Sequence, residues 1–220
     1  MLMNSILIDI SGVFEQEEFS SLPCVDLRSL EGTNCYCSPD AAEVIKRELS
    51  IIPLSTVCWI DTGDYHYLSY FRGLLIPEPF ELVLLDNHTD DFDLSDTLSC
   101  GNWVTALRRD SKMAGQAGYD VSSHPRPDRG SLPIFLSIDL DILSPSEFRT
   151  NWDQGTMTFD ELLVTIRNIA ATRRIIAIDI CGGLTESKGA MSCELDLNRR
   201  QRQRLLELLS SLSSPTCSGI

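Results

Sequence analysis

An α/β fold, with three layers and a mainly parallel central sheet between helices, is the fold class this sequence predicts. Three observations carry it. Continuous Val/Ile/Leu runs of strand length recur at 6–10, 56–60, 81–85, 133–138 and 174–180, and unbroken runs of this kind suit strands buried on both faces of a parallel sheet. Longer amphipathic stretches separate several of these runs, so strands and helices alternate. Acidic residues, in two places joined by a histidine, follow the runs, where open α/β sheets bind their ligands.

The elements follow in order. The chain opens with a strand at 6–10. Asp9 interrupts its apolar character and no basic stretch precedes it, so it reads as a first strand and not a signal peptide. Ser38-Pro39-Asp40-Ala41 places a capping Ser before a Pro at the first helical position and opens a helix to about residue 49. Strands at 56–60 and 81–85 come next. Residues 110–132, rich in Gly, Ser, Pro, Asp and Arg, read as one long loop. After the strand at 133–138, Thr158-Phe159-Asp160-Glu161 is a capping box that opens a helix to about residue 171. The last strand, 174–180, leads to a helix at about 194–212. No repeat or low-complexity linker divides the 220 residues, which suit a single domain spanning 1–220.

Composition removes several functions. Hydrophobic residues make up 43% of the chain, as in a globular protein, and no apolar run approaches the roughly 18 residues of a membrane span. The net charge of −14 argues against nucleic acid, whose binders need a basic stripe. The densest basic group, Arg199, Arg200, Arg202 and Arg204, reads as the solvated face of the last helix. The eight cysteines are scattered without paired CxxC motifs and read as reduced thiols of a cytoplasmic protein. Cys35-Tyr-Cys37 lacks a second pair and reads as a loop feature, not a zinc site. Self-association is left open.

The chemistry lies after the strands. Asp61-Thr62-Gly63-Asp64-Tyr65-His66, Asp86-Asn87-His88-Thr89-Asp90, Ser137-Ile138-Asp139-Leu140-Asp141 and Ile178-Asp179-Ile180-Cys181-Gly182 all fall at one edge of the expected sheet. In extended backbone Asp86, His88 and Asp90 share a face, as do Asp139 and Asp141. Carboxylates gathered this way repel one another and are costly to desolvate, and divalent cations relieve both penalties. Mixed carboxylate and imidazole donors suit Mn, Fe, Zn or Ni better than Ca or Mg.

These motifs resemble those of the arginase/agmatinase (ureohydrolase) family. Asp86-Asn87-His88-Thr89-Asp90 is similar to its DAHxD motif, Ser137-Ile138-Asp139-Leu140-Asp141 to its SxDxD motif, and His66 to the His of its GGDH segment. The resemblance spans about residues 59–183. It implies an arginase-like fold and two divalent ions, foremost Mn2+. One ion would be held by His66, Asp86, Asp90 and Asp139, the other by Asp86, His88, Asp139 and Asp141. It implies hydrolysis of a non-peptide C–N bond, guanidine or amide, of a small molecule or an arginine-like side chain by a metal-activated hydroxide, with Asp90 accepting the proton. The same fold carries amide deacetylases, and a non-catalytic metal-binding or interaction protein could also keep it.

The sequence departs from the family pattern in named places. The His of the first motif stands one residue late, so Asp64 competes with His66 for the ligand role; the imidazole is favoured because the family ligand is one. Ser144-Pro145 replaces an Asp-Pro pair that does not bind metal. Cys100, in Ser99-Cys100-Gly101-Asn102-Trp103, stands where the family has a proton-shuttling His, and Asn102 beside it is read as a substrate contact. Gly182 occupies the position of the guanidinium-binding Glu, with Asp153 and Glu186 as the loop carboxylates available to replace it. The chain between the two main motifs is shorter than is usual for the family. Asn151-Trp152-Asp153-Gln154-Gly155 is the candidate replacement pocket wall, with Trp152 and Asp153 as substrate-binding residues. His124 reads as surface decoration.

Overall fold

Among the described residues, seven strands form one all-parallel sheet, in the order β2 (Cys24–Asp26), β1 (Ser5–Asp9), β4 (Val57–Ile60), β9 (Ile175–Cys181), β8 (Ile134–Asp139), β5 (Phe80–Leu85) and β7 (Met113–Tyr119). The computed structural model describes residues 4–14, 19, 21–93, 97–119 and 132–212. The five expected strands are present as β1 (Ser5–Asp9), β4 (Val57–Ile60), β5 (Phe80–Leu85), β8 (Ile134–Asp139) and β9 (Ile175–Cys181). Two edge strands complete the sheet: β2 (Cys24–Asp26) and β7 (Met113–Tyr119). A separate antiparallel ribbon joins β3 (Tyr36–Cys37) to β6 (Leu98–Ser99).

The strand β7 corrects the reading of 110–132 as a single loop. Its sequence, Met-Ala-Gly-Gln-Ala-Gly-Tyr, lacks β-branched residues, and it lies at an edge, paired only with β5. Pairing to a buried neighbour, not propensity, makes it a strand. Residues 120–131, with His124, lie outside the described residues.

Alternation along each strand builds the layers. Trp59, Leu85, Leu136, Ile138 and Ile178 point to one face and meet α4 (Phe159–Thr172) and α5 (Ser192–Leu212) through Leu162, Ile166, Leu205 and Leu209. Cys58, Ile60, Leu82, Leu84, Phe135 and Ala177 point to the other. There they meet α1 (Pro39–Ser50), α2 (Leu68–Leu74) and α3 (Trp103–Asp110) through Ile45, Leu49, Phe71, Trp103 and Leu107. Each large aliphatic side chain buried this way contributes about 1.5–3 kcal/mol.

Both expected helix starts are built as the sequence implies. Ser38 Oγ accepts from the Ala41 amide at 3.2 Å. Thr158 Oγ1 accepts from the Glu161 amide at 3.3 Å, while Glu161 Oε2 accepts from the Thr158 amide at 2.8 Å. Thr158→Ala is expected to cost about 1 kcal/mol and to lower the melting temperature by about 2–4 °C, read by thermal denaturation.

The basic face of α5 is not wholly solvated. Arg202 is buried, with its guanidinium 5.4 Å from the ring centres of both Phe14 and Phe148, and it donates to the Gly182 carbonyl at 3.2 Å. It braces the segment that follows β9, where the sequence suggested only a charged surface.

Candidate metal centre

The sheet edge at the strand C-termini gathers six side chains of the kinds that hold metals: His66, Asp86, His88, Asp90, Asp139 and Asp141. Chain direction brings them there, but extended alternation does not aim them. The β5 strand stops at Leu85, residues 86–88 bend, and Asp90 adopts a left-handed φ of 48°. Asp139 ends β8, and Asp141 sits in a short 3-10 turn, Leu140–Ile142, capped by the Asp139 side chain. The side chains converge because these tight turns fold back over the sheet edge.

His66 Nδ1 lies 3.3 Å from Asp86 Oδ2, 3.0 Å from Asp90 Oδ2 and 3.5 Å from Asp139 Oδ2. His88 Nδ1 lies 3.6 Å from Asp86 Oδ1 and 2.8 Å from Asp141 Oδ2. Asp86 thus faces both imidazoles, one with each oxygen. The donors His66, Asp86 and Asp90 are close enough to share one cation, as are Asp86, His88 and Asp141. Backbone amides orient the acids: His88 N donates to Asp86 Oδ1 at 2.7 Å, Asn87 N to Asp141 Oδ1 at 3.1 Å and Asp141 N to Asp139 Oδ1 at 2.9 Å.

The buried acids and imidazoles strongly perturb one another. Burial, then the charges of Asp141 and Asp86, push the Asp139 carboxyl well above its ordinary range. Burial likewise raises Asp90, and raises Asp141 to about 6. Burial would raise Asp86 too, but the neighbouring His66 and His88 imidazoles outweigh it and hold that carboxyl at about 2. Hydrogen bonds to Asp141 and Asp86 hold His88 up at about 11. Asp86 Oδ2 is buried, and its 3.3 Å contact with His66 Nδ1 is not a well-aimed hydrogen bond. A buried anionic oxygen so weakly partnered is costly, and a divalent cation would satisfy it. The donor set therefore fits divalent-cation binding, with Asp86 common to two groups of donors close enough to share an ion.

Beneath His66 lies a chain of polar groups whose roles the sequence did not reveal. His66 Nε2 is 2.8 Å from Ser137 Oγ, which is 3.4 Å from Ser69 Oγ, and Ser69 donates to Asp179 Oδ2 at 3.0 Å. Asp179 in turn accepts from Arg72 Nε at 3.4 Å. Arg72 is fully buried and also donates to the carbonyls of Ile52 (3.2 Å) and Thr56 (3.0 Å). On the other side Trp103 Nε1 donates to Asp90 Oδ2 at 2.6 Å. These groups fix the His66 ring and the Asp90 carboxylate. The sequence offered one signal, an acid inside the β9 run, but its partners lie far along the chain. Removing Arg72 would leave Asp179 buried and unpaired. Arg72→Ala is therefore expected to cost about 3–5 kcal/mol, measured by denaturant unfolding.

Asp64 does not join the cluster. Its Oδ1 accepts from Asn151 Nδ2 and Trp152 Nε1, each at 2.9 Å, and its Oδ2 pairs with Lys188 Nζ at 3.2 Å. A cavity of about 320 Å³ opens above the acids, and Trp152, Cys100 and Cys35 line it. Burial, then the neighbouring Cys35, Asp90 and Asp64, pushes the Cys100 thiol up to about 12.

Three expected substrate contacts are placed elsewhere. The Asn102 side chain is consumed within its own turn, accepting from the Ser99 amide at 2.8 Å and donating to the Thr97 carbonyl at 3.1 Å. Asp153 is exposed and meets the site only through its backbone carbonyl, which accepts from Asn87 Nδ2 at 3.1 Å. Gly182, at φ +108°, is packed behind Asp139: a Cβ there would stand 2.9 Å from Asp139 Oδ1 and 3.0 Å from the Leu140 amide. A side chain at 182 would be strained by the positive φ and would crowd Asp139 and Leu140. Glu186 is exposed and does not line the cavity.

No family model matches the chain. An uncharacterized protein of Thermotoga maritima is 26% identical over 194 residues, covering 80% of this chain and 78% of that protein. Among solved structures, the chain is similar to proclavaminate amidino hydrolase of Streptomyces clavuligerus (TM-score 0.66, 14% identity, 96% of this chain and 93% of that one). It is also similar to arginase of Medicago truncatula (TM-score 0.66, 12% identity, 96% and 87%). A third likeness is to a triple mutant of an arginase-like protein of T. brucei, bound with Mn2+ (TM-score 0.63, 13% identity, 97% and 92%). Together with the seven-stranded parallel sheet and flanking helices of this chain, these likenesses give it an arginase/ureohydrolase-like α/β fold.

Proposed function

We propose that this protein is a dinuclear metal-dependent hydrolase that cleaves a non-peptide C–N bond, guanidine or amide. The observation that carries the reading is Asp86, whose two oxygens face two different imidazoles, so that it belongs to both groups of donors close enough to share a cation. His66, Asp86, Asp90 and Asp139 would hold one ion, and Asp86, His88, Asp139 and Asp141 the other. Mn2+ is the ion favoured by this oxygen and nitrogen donor set and by the Mn2+-bearing structural neighbour.

When bound, the ions supply Lewis-acid activation of a water and polarise the group under attack. The chain supplies the rest. Asp90 would accept the proton of the attacking water at its carboxylate. Trp103, fully buried, holds Asp90 by its indole N–H and shields its inner side from solvent. Ser137, Ser69 and Asp179 hold the His66 tautomer from behind. Cys100 lines the cavity where a leaving amine would collect its proton.

Elemental analysis of purified protein, after growth and loading with Mn, Fe, Zn and Ni in turn, tests the proposal, together with urea and acetate release from a panel of guanidines and amides. About two ions per chain and release of one product are expected. Protein that stays metal-free after every loading would overturn the reading, and acetate release without urea would move it to amide deacetylation. His66→Ala is expected to lower metal content. Asp64→Asn is expected to keep the metal and to loosen the 151–152 segment, because its oxygens serve Asn151, Trp152 and Lys188. The reverse result would exchange the two roles.

A further inference from the structure

The mouth of the cavity carries an aromatic platform that the hydrolytic chemistry leaves unused. Trp152 is 39% exposed, yet it is not loose. Its Nε1 is bonded to Asp64, which Asn151 and Lys188 also hold. Its Cδ1 edge lies so close over Gly63 that a Cβ at that position would come within 2.6 Å. The ring stands edge-to-face against His88, with centroids 5.9 Å apart. Two more exposed rings, Tyr36 at 60% and Phe92 at 72%, line the same cavity. Phe92 is tied down as well: its amide donates to the Gly101 carbonyl at 3.0 Å, and its ring covers Gly101 so closely that a Cβ there would approach within 2.9 Å.

Large exposed apolar surface is unfavourable in water unless something covers it. Rings held in fixed positions lose little entropy when they do bind, which makes them good anchors. The wall between these rings and the acids is built from small or neutral groups, among them Gly63, Ser99, Gly101 and Cys100. Trp152 spans both regions, because it touches His88 at the floor and opens to solvent at the rim.

We infer that the site takes a substrate whose scissile guanidine or amide is carried on a flat, apolar or aromatic body, and that Trp152 selects it by stacking. The inference rests on the dinuclear hydrolase reading and names the substrate class for that site. It differs from a free amino acid or simple polyamine, whose body offers no flat face to three rings.

Two metal-chelating probes with one binding head test it. Mn-loaded protein is titrated by calorimetry with benzohydroxamate and with acetohydroxamate, and metal content is measured on the same samples. The phenyl probe is expected to bind about tenfold or more tightly than the methyl probe. Trp152→Ala is expected to bring that ratio close to one, and Trp152→Phe to keep most of it, with metal content retained in both variants. Equal affinities in the unmodified protein, or an unchanged ratio in Trp152→Ala, would overturn the inference while leaving the metal site in place. Protein that holds no metal after loading would bring down the hydrolase reading and this inference together.

Discussion

Asp86→Ala is expected to strip most of the metal from the protein and to abolish hydrolysis. Asp86 Oδ2 faces His66 and Asp86 Oδ1 faces His88, so one carboxylate serves both proposed ion positions. It is also the acid of the cluster held low, at about 2, because the two neighbouring imidazoles outweigh its burial. Removing it leaves His66 and His88 converging on a gap, and leaves Asp90, Asp139 and Asp141 unable to compensate for both ions. Loss of a group that merely orients a ligand typically costs about 10–100-fold in metal affinity or activity, and loss of a shared ligand is expected to exceed that. Asp139→Ala is expected to behave alike, because Asp139 Oδ2 lies 3.5 Å from His66 Nδ1 and its Oδ1 caps the turn that carries Asp141. The measurement is ions per chain by elemental analysis, with circular dichroism to confirm folding. A folded Asp86→Ala protein that keeps two ions would show that the bridging assignment is wrong.

Free arginine and agmatine are expected to release urea poorly. Gly182 stands where the family resemblance places a guanidinium-binding carboxylate, and the structure closes that position: an added Cβ would fall 2.9 Å from Asp139 Oδ1. A guanidinium bound without that partner forfeits about 1.5–3 kcal/mol, or about one to two decades of affinity. The proton for the leaving amine is a second deficit. Burial, then Cys35, Asp90 and Asp64, pushes the Cys100 thiol up to about 12, which makes it a weak acid near neutral pH. Loss of a well-matched shuttle costs about a hundredfold or more. A urea assay on Mn-loaded protein reads the combined effect. Turnover on arginine within the usual enzyme range, about 1–1000 per second, would show that another group has taken over the guanidinium contact.

Much of this architecture was legible in the sequence because it depends on patterns local to the chain. Five buried strands announced themselves as unbroken aliphatic runs, and two helices carried their own start signals in Ser38-Pro39 and in Thr158 with Glu161. The acids and histidines of the centre were visible for a related reason. A parallel sheet puts the C-termini of its strands at one edge, so residues that follow the runs meet wherever the strands pair.

What depends on partners far along the chain was not legible. The β7 strand has no strand-like composition and exists because β5 offers it an edge. Asn102 looked like a ligand contact until its own turn claimed both ends of its amide. Arg202 looked solvated until packing placed it between Phe14 and Phe148. Asp64 and His66 were rival ligands in sequence, two positions apart, and only folding separated them. The short turn at Gly63–Tyr65 sends Asp64 toward Asn151, Trp152 and Lys188, and sends His66 among the acids.

By itself, then, the sequence determined the α/β class, the sheet edge and the donor types, since strand burial and residue chemistry are written in consecutive residues. Tertiary structure alone decided which donors face one another, how Asp179 and Arg72 brace His66 from beneath, and how tightly position 182 packs against Asp139. Those outcomes are distances between residues remote in sequence, and they exist only once the sheet has closed its neighbours together.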